Sequence, residues 1–172
     1  MKLYILRHGD AGERDAANYT SDAARPLTSK GIKRTRQLAN AMRQMEITFD
    51  VILSSPLIRA HQTAEIIARS LGLEKQLRLV GQLAPDHALT EVLALIESAP
   101  PKTGTMLLIG HEPSLSRLVS LLCTGGTNLG LTLKKGGLCR LELTEVKSGP
   151  CATLEWLLSP RHFEPKRKTR TE

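Results

Sequence analysis

A chain of 172 residues with a hydrophobic content of 41% suits one globular domain with a substantial buried core. Aromatic residues at 3% leave that core to Leu, Ile, Val, Ala and Met, and argue against recognition of single-stranded nucleic acid by base stacking. A net charge of +7 invites a nucleic-acid reading, but no apolar run approaches the roughly 18 residues of a membrane span, and the first apolar stretch ends too early, at Arg7, for a secretory signal.

Lys2-Leu3-Tyr4-Ile5-Leu6 reads as a short buried strand, followed at once by Arg7-His8-Gly9. A long polar segment, Asp10 to Pro26, comes next, of the kind that forms lids or mobile covers. A helix begins near Thr28, a good N-cap, with Ile32, Ala39, Met42 and Met45 at helical spacing. Asp50–Ser54 is the second strand, and the helix after it carries Ala60, Ala64, Ile67 and Leu71 before stopping at Gly72. Gln76 to Val80 gives a short strand and Leu89 to Glu97 a helix ended by Pro100-Pro101. Thr105 to Ile109 is again a strand. Gly110-His111-Glu112-Pro113 follows it, then a helix bearing Leu115, Leu118, Val119 and Leu122 and closed by Gly125-Gly126. Leu129–Leu133, Leu138–Leu143 and Ala152–Leu157 read as late strands, at least one pair of them antiparallel. The alternation predicts a single-domain three-layer α/β/α sandwich with a mostly parallel central sheet over residues 1–158.

Residues 159–172 form a basic, flexible C-terminal tail in this reading, with Arg161, Lys166, Arg167, Lys168 and Arg170 interrupted by Pro160 and Pro165. Such a tail either solvates the chain or attracts an acidic protein partner, with RNA the weaker alternative. Cys123, Cys139 and Cys151 lack metal-ligand spacing and read as thiols of a reducing cytoplasm.

Three strand ends carry conspicuous polar groups: Arg7 and His8 on the first, Ser54-Ser55-Pro56-Leu57-Ile58-Arg59 on the second, His111 on the third. In a parallel sheet these ends share one edge, so distant residues converge on one pocket. A cradle of arginines and histidines matches a phosphate or sulfate anion better than a metal, which would also want carboxylates or thiolates. His61 and His162 lack that context and read as surface residues. Gln62 and Thr63 read as packing or capping groups, Ser54 and Ser55 as turn formers. A serine nucleophile has no Gly-x-Ser-x-Gly elbow here.

Arg7-His8-Gly9, the run Ser54-Ser55-Pro56-x-x-Arg59-Ala60-x-Gln62-Thr63-Ala64 and Gly110-His111-x-Pro113 together resemble the histidine phosphatase superfamily. The small size and Arg25-Pro26-Leu27-Thr28-x-x-Gly31 resemble its SixA-type phosphohistidine phosphatase branch. The resemblance implies that His8 is the nucleophile, attacking phosphorus in line through a phosphohistidine intermediate. Arg7, Arg59 and His111 would hold the phosphoryl oxygens, His111 with a positive charge, and neither metal nor cofactor is implied. Many members of the superfamily use a carboxylic acid from the segment after the third strand. Here that region reads Gln82-Leu83-Ala84-Pro85-Asp86-His87-Ala88, with Gln82 where related phosphohistidine phosphatases often carry Glu. Asp86 is the nearest carboxylate and the candidate proton donor, or else an ordinary loop aspartate; His87 and Glu91 are the alternatives. A phosphoramidate leaves readily once its nitrogen is protonated from solvent, whereas an ester depends more on a positioned acid. The expectation is therefore a cytoplasmic, metal-independent phosphatase acting on a phosphohistidine-bearing protein such as a phosphotransfer domain, without membrane or nucleic-acid partners. The alternatives are a small-molecule phosphomonoesterase on the same site and a non-catalytic phosphate- or partner-binding module.

Overall fold

Leu3, Tyr4, Ile5 and Leu6 are all buried, so the first strand must be covered on both faces. The structure, a computed structural model, describes residues 1–12, 21–144 and 149–164. Its strands are β1 (Lys2–Arg7), β2 (Val51–Ser54), β3 (Leu77–Leu79), β4 (Thr105–Gly110), β5 (Leu138–Leu143) and β6 (Ala152–Leu158). The helices are α1 (Ser29–Gln44), α2 (Ile58–Leu71), α3 (Leu89–Glu97) and α4 (Ser114–Thr124). The sheet order is β3-β2-β4-β1-β5-β6. The β1–β4, β2–β4 and β2–β3 pairs are parallel, and β1–β5 and β5–β6 antiparallel.

Strand alternation sorts the core into two layers. Leu3, Ile5, Leu53, Met106 and Leu108 pack with Leu93 and Ile96 of α3 and Leu118 and Leu122 of α4. Tyr4, Leu6, Ile52, Leu107 and Ile109 pack on the opposite face with Leu38 and Met42 of α1 and Ala60, Ala64 and Ile67 of α2. The architecture is the three-layer α/β sandwich with a mostly parallel sheet. The aromatics among the described residues gather on the second face, where the Tyr4 ring meets Phe49 and Trp156 edge-on at 5.2 and 5.7 Å.

Helix ends follow their residues. The Thr28 side chain accepts from the Gly31 amide at the start of α1, and Gly72 and Gly125 close α2 and α4 in the left-handed conformation. Met45 lies past the end of α1 and is 52% exposed, so it is no part of the apolar stripe. The strand expected over Gln76–Val80 shrinks to Leu77–Leu79, preceded by a 3-10 turn.

Leu129–Leu133 is not a strand. Its alternating leucines imitate one, but it pairs with no strand of the sheet. The segment is tied elsewhere: the Leu129 amide donates to Ser120 Oγ, and Leu133 is buried in the first core layer. Because β5 runs against β1, the loop before it lies at the carboxyl end of β1, where Gly136 donates to the carbonyls of Arg7 and His8.

Of the segment expected to be a tail, Pro160–Phe163 form a 3-10 turn, Phe163 packs against the second core layer, and Glu164 pairs with Arg34 at 2.6 Å. Lys166, Arg167, Lys168 and Arg170 lie outside the described residues, as do residues 13–20 of the long polar segment.

Gly31 locks the start of α1 against the first loop: a Cβ there would sit 2.1 Å from the Asp10 carbonyl oxygen. Gly31→Ala is expected to cost about 1–3 kcal/mol through forced backbone displacement. Gly81→Ala, where a Cβ meets nothing within 4 Å, should change stability little. Urea denaturation of both variants checks the pair, and equal losses would contradict the packing argument.

Candidate active site

The carboxyl ends of β1, β2 and β4 are stitched together by main chain. The His8 amide donates to the Gly110 carbonyl at 3.1 Å and the Ser55 amide to the Ile109 carbonyl at 2.9 Å. Thr63 Oγ1, on α2, accepts from the Gly9 amide at 3.0 Å and donates to the Arg59 carbonyl at 2.7 Å. Gln62 Oε1 accepts from the Leu27 amide. Both side chains therefore anchor the loops beside the site, which agrees with reading them as packing groups.

Arg7, His8, Arg59 and His111 converge on one cavity of about 1180 Å³, whose wall also includes Asp22, Asp86 and Glu112. The His8 and His111 rings lie 5.0 Å apart, centre to centre. His8 Nδ1 is 2.7 Å from the Gly9 carbonyl oxygen and so carries the proton. Nε2 keeps its lone pair and accepts from Arg59 Nε at 3.3 Å. Burial, with help from Arg59, Arg7 and Lys135, pushes the His8 pKa down to about 3, although its bond to Gly9 works the other way. The imidazole is neutral at physiological pH.

His111 has the same property for similar reasons: burial first, then His8 and Arg59, bring it down to about 3 against the opposing pull of Asp22. The positive charge expected on His111 is thus absent from the protein's own electrostatics. A phosphoryl dianion would bring the opposite charge and push the value up. Its Nε2 lies 2.8 Å from Ser55 Oγ, which also accepts from the Leu57 amide. That contact leaves Nδ1 as the second nitrogen of the ring. Among the described residues that Nδ1 is buried without a hydrogen-bond partner. Ser55, read from sequence as a turn former, therefore also holds the His111 ring.

Arg7 donates from Nη1 to the Leu133 carbonyl at 3.0 Å. Burial lowers its pKa while the Glu112 carboxylate opposes that shift. Arg59 is 3% exposed, so its charge needs a partner. Asp22 supplies one: its carbonyl accepts from Nη1 at 2.7 Å and its Oδ2 from Nη2 at 2.9 Å. Oδ1 meanwhile pairs with Arg25 at 2.8 Å. In the sequence Asp22 is one of several charges in a long polar segment, and its spacing of three from Arg25, just ahead of Pro26, is its local sign.

Asp86 lies on the cavity wall, exposed and in the left-handed region at φ 74°. His87 and Glu91 are outside the wall and bond to each other at 2.8 Å. His61 and His162 also lie away from the cavity, one beside Glu65 and the other capping Ser159. Among the described residues no group of three or more His, Cys, Asp or Glu side chains is arranged to hold a metal ion.

Comparison with known proteins places this geometry. A family model described as the histidine phosphatase superfamily (branch 1) matches residues 3–80. The phosphohistidine phosphatase SixA of Escherichia coli K12 is 31% identical over 93% of this chain and 94% of its own length. The chain belongs to the histidine phosphatase superfamily. An uncharacterised protein of Picosynechococcus is 42% identical over 83% of the chain and 85% of its own length. A solved structure of the protein histidine phosphatase SixA complexed with tungstate superposes with a TM-score of 0.82 at 30% identity, covering 95% of this chain and 100% of that one. The superfamily's phosphatase chemistry is accordingly assigned to this chain.

Two expectations follow. Unfolded, both histidines bind protons below about 6.5, whereas in the folded state they resist protonation down to about 3. Stability should therefore be complete above pH 6.5 and fall as the pH drops towards 3. His111→Asn should flatten that slope in denaturation measured across pH, and an unchanged slope would contradict the shift. Asp22→Ala, which strips a partner from the buried Arg59, should cost about 1–2 kcal/mol by urea denaturation, the aspartate itself being partly exposed.

Proposed function

We propose that this chain is a metal-independent cytoplasmic phosphatase that removes the phosphoryl group from phosphohistidine on a signalling protein such as a phosphotransfer domain. The observation that carries the proposal is the state of His8: a buried, neutral imidazole whose Nδ1–H donates to the Gly9 carbonyl and whose Nε2 lone pair lies beside Arg59. A histidine so held is a nucleophile at neutral pH without a base to activate it.

In this reading His8 Nε2 attacks phosphorus, and the P–N bond to the substrate imidazole breaks as that nitrogen takes a proton. Water then attacks the phosphoryl group on His8, releasing inorganic phosphate and restoring the neutral ring. Arg7 and Arg59 hold the non-bridging oxygens, and His111, held by Ser55, adds a further hydrogen bond to them from Nδ1. Asp22 acts through Arg59 by holding its guanidinium plane. The relative named as a phosphohistidine phosphatase and the solved tungstate complex support this assignment, tungstate being a tetrahedral oxyanion like phosphate. The chain contains no helix, among its described residues, long and apolar enough to cross a membrane. Its free cysteines also suit a reducing compartment.

One observation favours a second reading. Asp86 lies on the same cavity wall as His8, so a carboxyl group is available to protonate an alkoxide. A small-molecule phosphomonoesterase would use it.

Hydrolysis of a phosphohistidine peptide and of a simple phosphate ester, both in EDTA, tests the proposal. Wild type should prefer the peptide, and His8→Ala should abolish turnover of both. Asp86→Asn should lower ester hydrolysis more than phosphoramidate hydrolysis; equal losses would remove it from the mechanism. Ester preference would support the second reading, and no turnover of either would leave a binding module.

A further inference from the structure

A second groove, of about 450 Å³, runs away from the catalytic cavity and shares Arg7, Asp10 and Lys135 with it. Besides those, its walls carry Lys30 and Arg34 of α1, Lys134 of the loop before β5, and Arg161 of the turn after β6. Two of the cations are already matched, Lys135 by Asp10 at 3.1 Å and Arg34 by Glu164 at 2.6 Å. Lys30, Lys134 and Arg161 are exposed and, among the described residues, have no acidic side chain within ion-pair distance.

We propose that this groove docks an acidic segment of the phosphohistidine-bearing protein, flanking its phosphorylated residue. The inference rests on the phosphoprotein reading above and adds what selects among such proteins. The groove opens onto the catalytic cavity, so a chain that presents its phosphoryl group to His8 can lie along it. The three cations stand on three separate elements, a placement that suits several carboxylates along one chain rather than one compact anion. No aromatic side chain lines the groove, so it offers no platform for stacking bases, which disfavours RNA as its occupant. The net charge of +7 adds long-range attraction for an acidic partner and speeds productive encounter.

The test compares free phosphohistidine with two phosphohistidine peptides, one flanked by acidic residues and one by neutral residues. The double variant Lys30→Glu/Lys134→Glu should lower kcat/KM for the acidic peptide roughly tenfold or more. It should leave free phosphohistidine and the neutral peptide within about twofold of wild type. Equal losses on both peptides, or no loss on the acidic one, would overturn the proposal. Fluorescence anisotropy with a labelled, unphosphorylated acidic peptide reads the groove without turnover. Binding to wild type, weakened by the double variant and by about 0.5 M salt, is the expected result. No binding would overturn the groove even in an active enzyme. Binding by a wild type that hydrolyses no phosphohistidine substrate would sustain the groove and remove the phosphohistidine reading. Displacement of the peptide by an RNA oligonucleotide of equal charge at equal concentration would overturn the assignment to protein.

Discussion

The arrangement at the sheet edge depends on one short contact, between the ring nitrogen of His8 and the carbonyl of its own neighbour Gly9. That bond places the proton on the inner nitrogen and leaves the outer lone pair towards Arg59. The same burial that keeps the imidazole neutral also makes the two arginines costly to hold. Asp22 and Glu112 exist in the wall as partial answers, the first by direct ion pairing and the second by charge alone. Neutral rings and two guanidinium groups thus share one pocket.

The frame around that pocket is ordinary packing carried out strictly. Alternate residues of β1 and β4 feed opposite core layers, and two α-helices close each face. Gly31 admits the Asp10 carbonyl at a distance that any Cβ would forbid, so the first loop and α1 meet at one backbone contact. Thr28 strengthens the same junction by capping the helix and meeting Asp10. The Arg25-Pro26-Leu27-Thr28-x-x-Gly31 run is thus a device for fixing a loop beside the site. It contributes little to the chemistry directly.

Most of this was legible before any coordinates. Periodicity placed the parallel strands and all four helices, because buried strands and amphipathic helices write different repeats. Strand ends then put Arg7, His8, Arg59 and His111 on one edge, and the structure brings those four around one cavity. The failures have a common cause. Leu129–Leu133 alternates as a strand should, yet its Leu129 amide is tied to Ser120 of α4 and not to a strand, a relation between distant parts of the fold. Asp22 matters because Arg59 is buried, and Ser55 matters because His111 lies against it. The Ser55 relation has no local sequence signature, and the Asp22 relation only its spacing from Arg25. Composition also said nothing of where the positive charge would collect.

The reversed direction of β5 has a wider consequence. In an all-parallel sheet, every loop at the catalytic edge follows a strand and leads into a helix, so altering it disturbs both. Because β5 enters from that edge, the loop that precedes it reaches the site as well, bringing the Leu133 carbonyl to Arg7 and Lys134 and Lys135 to the groove. That loop carries none of the side chains Arg7, His8, Arg59 and His111, but its main chain holds Arg7 and His8 in place. Lys134 could be exchanged there while those main-chain bonds persist, so one short loop joins a fixed support to a variable surface.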